Sequence, residues 1–124
     1  MKGDVFMGKE RLLVVIPQLG MGGAERLVID LLEHFDYEQF EVHLLVFYPK
    51  IMNQEYVDRI KKLPVSFHII ERKRKFDIGF LFRVKRFVKT LNPAIIHTHL
   101  DSIFSMFFAF LSVRKKTKIF PTIH

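Results

Sequence analysis

The sequence contains no cysteine and no tryptophan, and it has no hydrophobic run long enough to cross a bilayer. The lack of cysteine excludes disulfide scaffolds, cysteine-ligated zinc sites and thiol catalysis. The densest apolar stretch, residues 103–113, is about half as long as the roughly 20 residues that a membrane-spanning helix needs. The N-terminus also lacks the apolar segment and cleavage site of a secretory signal. We therefore expect the protein in the cytoplasm.

What the chain does contain is enough apolar material for one core. It has 124 residues, of which 49% are hydrophobic and 27% charged, a composition typical of a globular domain. We therefore take residues 1–124 as a single folded unit.

The charge is unevenly distributed along the chain. Residues 1–62 carry 8 basic and 10 acidic side chains, whereas residues 63–124 carry 12 basic and 3 acidic ones. A net charge of −2 followed by one of +9 favours an anionic partner for the second half. A phosphorylated substrate and an acidic membrane surface both fit this charge, and so does a basic face that is simply solvated. Nothing in the sequence adds base readout, so we expect no nucleic-acid partner.

Apolar runs alternate with amphipathic segments along the whole chain. The runs predict strands at residues 11–17, 41–47, 65–70, 94–98 and 118–123. The segments between them predict amphipathic helices at 24–35 and 78–91, a helix in the polar segment 53–62 and a very apolar helix at 103–112. Strands that alternate with helices imply right-handed crossovers. The fold class is therefore α/β, with a Rossmann-like, mostly parallel sheet and helices on both faces.

The helical periodicity predicts which side chains face the sheet. In the first helix the inward set is Leu27, Val28, Leu31, Leu32 and Phe35, with Glu25 on the outer side. In the third helix the inward set is Leu81, Val84, Val88 and Leu91, and Asp77 is the predicted N-cap.

A glycine-rich turn, residues 18–23, follows the first strand. Glycine lets a ligand approach the backbone, and the free N–H groups at a helix start attract anions. Gly22 and Gly23 are therefore the candidate ligand-binding residues, beside the alternative of a plain tight turn. A dinucleotide site is disfavoured because Glu25 stands where its last glycine would be, and Phe47 and Tyr48 stand where its ribose-binding acid would be.

Histidines lie at two other predicted strand ends. His97 and His99 are two residues apart, so they project to the same face of the strand, and His124 ends the next strand. A metal would need further ligands, and we expect no metal site. Packing of one histidine in the core and exposure of the other at the strand mouth is the more usual arrangement. Gly22, Gly23, His99 and His124 would then line one crevice at the carboxyl ends of the strands.

Three segments of the sequence resemble glycosyltransferase family 4. They are LVVIPQLGMGGAER at residues 13–26, NPAIIHTH at residues 92–99 and PTIH at residues 121–124, in the family's order. The second departs from the family pattern because Ala94 stands where aspartate is common. The resemblance implies the N-terminal domain of a GT-B fold, in which two Rossmann-like domains enclose the active site.

The resemblance also implies an activity and site residues. Such enzymes transfer a sugar from a nucleotide-sugar donor with retention of configuration and need neither metal nor cofactor. The backbone at Gly22 and Gly23 would approach the donor diphosphate or sugar, His124 would contact the transferred sugar, and His99 would lie on the acceptor side. The acceptor would be a saccharide or lipid-linked molecule of cell-envelope polysaccharide synthesis, at the inner face of the membrane. The candidate membrane or anion face comprises Arg72, Lys73, Arg74, Lys75, Arg83, Arg86 and Lys89.

The family's nucleotide-binding C-terminal domain would lie beyond His124. We therefore expect residues 1–124 to form part of the N-terminal domain, to fold marginally alone and not to turn over a nucleotide sugar by themselves. The alternative is a non-catalytic basic α/β module that binds an anionic membrane surface or a partner protein.

Overall fold

A computed structural model describes residues 9–20, 23–73, 77–98 and 118–121. The strands are β1 (Glu10–Ile16), β2 (Phe40–Val46), β3 (Val65–Ile69), β4 (Ile95–Thr98) and β5 (Lys118–Pro121). The helices are α1 (Gly23–Leu32), α2 (Gln54–Lys61) and α3 (Ile78–Leu91). The helix predicted at residues 103–112 lies outside the described residues. No helix within the described ranges is long and apolar enough to cross a membrane.

The five strands form one sheet in the order β3-β2-β1-β4-β5, and every pair of neighbours is parallel. The central strand β1 pairs with β2 from Glu10↔Phe40 to Ile16↔Val46 and with β4 from Leu12↔Ile95 to Val15↔Thr98. The last five residues of β1 are buried, because both faces of this strand are covered. The predicted Rossmann-like α/β class is confirmed.

Helices cover both faces of the sheet. On one face α1 and α2 pack on Leu12, Val14 and Ile16, and on the other α3 packs on Leu13 and Val15. Alternate side chains of a strand point to opposite faces, so β1 supplies both cores. The fold therefore has three layers.

The ends of α3 explain its length. Asp77 is the N-cap, as predicted, and its Oδ1 accepts a hydrogen bond from the Phe80 N–H at 2.9 Å. At the other end Asn92 adopts a left-handed conformation with φ 51°, and its N–H donates to the Val88 carbonyl at 2.8 Å. Asparagine tolerates this conformation, and Pro93 cannot continue the helix.

The predicted inward faces of α1 and α3 are partly wrong. Leu27 is 50% exposed whereas Glu25 and Ile29 are buried, and Leu81 is 37% exposed whereas Phe80 is buried. In α1 two pairs of residues four apart are buried, Glu25 with Ile29 and Val28 with Leu32. In α3 the buried residues are Phe80, Val84 and Val88, which also follow one another at intervals of four. Leu27 and Leu81 lie beside these buried residues, because one residue turns a helix by about 100°.

Candidate functional site

The strand order reverses direction between β1 and β4. From β1 the chain adds β2 and β3 on one side, and β4 and β5 on the other. In open parallel sheets, ligands bind at such a reversal, outside the carboxyl ends of the strands. Here those ends are Ile16 and Thr98, and of the two segments that follow them the structure describes the one after Ile16, as far as residue 20.

The turn after β1 is fastened to the segment after β2. The Pro17 carbonyl accepts hydrogen bonds from the Phe47 and Tyr48 N–H groups at 3.0 and 2.9 Å. The Leu19 N–H donates to the Ile51 carbonyl at 3.2 Å, and Leu19 itself is fully buried. These contacts hold the turn in place before α1 begins.

Gly20 leaves little room for a side chain in this turn. A Cβ at Gly20 would lie 3.3 Å from Glu25 Oε2 and 3.3 Å from Ile51 Cγ2, which is closer than most real Cβ contacts. Glu25 is only 9% exposed, so its carboxylate lies against the turn and not on the outer side of α1, where the periodicity placed it. In dinucleotide-binding folds a glycine at this position lets the helix pack closely on the strand. Here the carboxylate of Glu25 occupies that position.

Gly23 is the first residue of α1, so its backbone lies at the carboxyl edge of the sheet as predicted from the strand-turn-helix pattern. The other residues predicted for this crevice lie outside the described residues. These are Gly22, His99 and His124. Two residues of the candidate anion face, Arg74 and Lys75, also lie outside the described residues.

His97 lies on β4, half-buried beside the central strand, where its register partners are Val14 and Phe120. Burial lowers the pKa of His97 below its usual range. Among the residues that the structure describes, no group of three histidine, aspartate or glutamate side chains is arranged so that it could hold a metal ion.

Of the basic residues predicted for the membrane or anion face, Arg72, Lys73 and Arg83 lie close to one another in the segment after β3 and the start of α3. The Arg72 Nη1 donates to the Tyr48 hydroxyl at 3.1 Å, next to Lys73. Arg83 reaches the same segment from α3, donating from Nη2 to the Glu71 carbonyl at 2.9 Å. Arg86 and Lys89 are exposed further along α3.

Arg72, Lys73 and Glu71 line an open groove of about 540 Å³ together with residues 48–51. The groove lies between the segments that follow β2 and β3, at the same edge of the sheet as the turn after β1. Sequence reasoning missed Tyr48, Lys50 and Glu25 as site residues. Tyr48 and Lys50 follow the end of β2, and their position after a predicted strand could have indicated them. The burial of Glu25 depends on the rotation of α1, which the sequence pattern does not specify.

Comparison with known proteins agrees with this architecture. The sequence profile described as Glycosyltransferase Family 4 matches residues 21–124, most of the chain. A search of curated proteins found no match. The match begins within the glycine-rich turn, at residue 21, and runs through α1 to β5, so that β1 and Gly20 precede it. The chain belongs to glycosyltransferase family 4.

Proposed function

We propose that this chain forms the acceptor-side part of a retaining glycosyltransferase. The enzyme transfers a hexose from a nucleotide-sugar donor to a saccharide or lipid-linked acceptor in cell-envelope polysaccharide synthesis, at the cytoplasmic face of the membrane. The observation that carries the proposal is the family membership, combined with a glycine turn that leads into α1 beside the reversal of strand order.

The turn suits the chemistry of the leaving group. When the bond between the sugar and the diphosphate of the donor breaks, negative charge develops on the departing diphosphate. Stabilisation of such developing charge is usually the largest single contribution to catalysis. Backbone N–H groups at the start of a helix attract anions. In the proposal, Gly22 and Gly23 approach this diphosphate, His124 contacts the sugar and His99 lies on the acceptor side.

The direct test is sugar transfer by the complete product of the gene that encodes this chain. It would be incubated with tritium-labelled uridine, guanosine and thymidine diphosphate hexoses and a membrane extract. We expect label in a saccharide or lipid fraction, with the anomeric configuration of the donor retained in the product by NMR. Absence of transfer from every donor by the complete gene product would refute the proposal, and an inverted product would refute the retaining mechanism.

Gly20→Ala tests whether the turn positions the substrates. The added methyl group forces Glu25 or Ile51 to move by a few tenths of an ångström, and small displacements of positioning groups slow catalysis. We expect kcat to fall about fivefold in the complete gene product, with little change in melting temperature.

Gly79→Ala is the matched control. A Cβ there would lie 3.2 Å from the Arg83 Nη1, the end of a flexible side chain, and alanine favours a helix over glycine by about 1 kcal/mol. We expect unchanged transfer and slightly higher stability. Equal kinetics of Gly20→Ala and the parent would show that the turn does not position the substrates.

The outer face of α3 supports a second candidate function, contact with an anionic membrane surface. Ile78 and Phe82 are 67% and 66% exposed, unusual values for large apolar side chains on one helix. The basic residues of α3 are Arg83, Lys85, Arg86 and Lys89, and its 14 residues include no acidic one. Exposed apolar side chains flanked by lysine and arginine are typical of helices that lie on anionic membranes.

Vesicle sedimentation tests this candidate. We expect the chain to bind phosphatidylglycerol vesicles more tightly than phosphatidylcholine vesicles, and replacement of Ile78 and Phe82 by serine to weaken binding about fivefold. Leu27→Ser is the matched control, because Leu27 is 50% exposed on α1, on the opposite face of the sheet. An equal loss in both variants, or equal binding to both lipids, would contradict membrane contact through α3.

A further inference from the structure

The groove between the segments after β2 and β3 has an unusual set of side chains for its size. Lys50, Arg72 and Lys73 line it with one carboxylate, Glu71, and one phenol, Tyr48. Three cations against one anion make the groove electropositive. The carboxylate and the phenol add groups that can hydrogen-bond hydroxyls. This combination suits a ligand that carries both an oxyanion and sugar hydroxyls.

Arg72 is held where it can bridge the two walls of the groove. Its backbone N–H donates to the Phe47 carbonyl at 3.1 Å, and its Nη1 donates to the Tyr48 hydroxyl at 3.1 Å. Both contacts tie the segment after β3 to the segment after β2. A guanidinium is a planar fork of N–H donors whose geometry matches phosphate and carboxylate. Fixing it in advance reduces the entropy lost when an anion binds.

Contacts around Ile51 connect the groove with the turn after β1. Ile51 lines the groove, its carbonyl accepts the Leu19 N–H at 3.2 Å, and its Cγ2 lies 3.3 Å from the Cβ position of Gly20. The groove therefore opens beside the turn that the proposed function assigns to the donor diphosphate. A molecule anchored in the groove by an oxyanion would have its remaining part next to that turn.

We propose that this groove is the subsite for the anionic group of an acidic acceptor. The recognised chemistry is an oxyanion attached to a sugar, which a glycosyl phosphate or a uronic acid can supply. The acceptor role rests on the proposed glycosyl transfer, whereas oxyanion binding by the groove does not. Arg72 and Lys73 thus act on a small anionic ligand and not as part of a membrane face.

Isothermal titration of the full chain with three probes tests the subsite and identifies the source of the oxyanion. The probes are glucose 1-phosphate, glucuronate and methyl glucoside, which share a hexose ring and differ in the anionic group. We expect one or both anionic probes to bind and methyl glucoside to bind at least tenfold more weakly, because it lacks the charge that the groove recognises. Tighter binding of glucose 1-phosphate indicates a phosphorylated acceptor, and tighter binding of glucuronate indicates an acidic saccharide.

Variants locate the binding in the groove. Arg72→Gln is expected to weaken binding of the tighter anionic probe about tenfold. Lys62→Gln is the matched control, since Lys62 is the C-cap of α2 and precedes β3, at the opposite end of that strand from Arg72. Should Arg72→Gln fail to fold, the double substitution of the exposed Lys50 and Lys73 by glutamine replaces it, with the same expected direction.

Several results would overturn the proposal. Equal binding of methyl glucoside and the anionic probes would show that the site does not recognise an oxyanion. Equal weakening by Arg72→Gln and Lys62→Gln would show that the anion does not bind in the groove. Failure of the two proposals is distinguishable. If the complete gene product transfers no sugar but binds the anion in an Arg72-dependent way, the proposed transfer is refuted and the subsite is supported. Intact transfer without anion binding refutes the subsite alone.

Discussion

Phe80→Ala is expected to lower the free energy of unfolding by about 3–5 kcal/mol. Phe80 is 1% exposed, and its ring meets that of Phe47 edge to face, with 4.9 Å between the centroids and 88° between the planes. It is the first buried residue of α3 and lies in the core between this helix and the sheet. Truncation removes the ring contact and leaves a cavity in a close-packed layer.

The expected loss is a large fraction of the roughly 5–15 kcal/mol by which a domain is stable. Urea denaturation followed by circular dichroism measures it. Phe82→Ala is the matched control, because Phe82 stands two residues further along the same helix and is 66% exposed. That change should cost less than about 0.5 kcal/mol. Similar losses in the two variants would show that α3 does not pack on the sheet through Phe80.

Lowering the pH from 7.5 to 5 is expected to destabilise the fold, through a cluster of two histidines and a glutamate under α3. His43 is 8% exposed, and its Nε2 lies 2.6 Å from Glu41 Oε2 while its Nδ1 lies 2.9 Å from His68 Nε2. His68 also packs against the Phe87 ring at 4.7 Å. Only one proton fits between the two imidazoles, so protonation of both would set two N–H groups against each other.

The sign follows from the pKa shifts. Burial, with a smaller effect of His43, lowers the pKa of His68 below its usual 6.5, and burial lowers that of His97 in the same direction. The unfolded chain therefore binds more protons as the pH falls through about 6.5, and stability decreases. Hydrogen bonding to His43, together with the nearby Arg11, lowers the pKa of Glu41 below 4.5, so its contribution is lost only at still lower pH.

Thermal melts at pH 7.5 and 5 measure this effect. We expect a lower midpoint at pH 5 than at pH 7.5, and solvent screening of the half-buried His68 limits the size of the fall. His68→Gln keeps an N–H that can donate to His43 but does not titrate, so the fall should be smaller, with the remainder due to His97. Equal melting temperatures at both pH values would contradict the role of the buried histidines, and an unchanged fall in His68→Gln would exclude His68.

The order of elements and the class of the sheet were predictable from the chain. An aliphatic run without alternation, such as residues 12–16 of β1, indicates a strand covered on both faces. Asp77 and the pair Asn92 and Pro93 mark the ends of α3 through local chemistry, which involves only neighbouring residues. The resemblance in three short segments also indicated the family, which the profile match over residues 21–124 confirms.

The order of strands and the rotation of helices could not be predicted in the same way. Leu27 and Leu81 fit the helical periodicity as well as the residues that are buried, and only packing on the sheet shows that Glu25 and Phe80 take the inward positions. The two imidazoles of His43 and His68 lie 25 residues apart in the chain. They meet because β2 and β3 pair in parallel with His43 opposite Ser66 and Leu45 opposite His68.

The sequence by itself determined the kind of fold, the family and the basic character of the second half, because these depend on local patterns of apolar, capping and charged residues. The tertiary structure decided that Tyr48, Lys50 and Arg72 share one groove and that this groove adjoins the turn at Gly20. Such proximity depends on which strands become neighbours and in which register. That choice is a property of the whole core and is carried by no single segment of the chain.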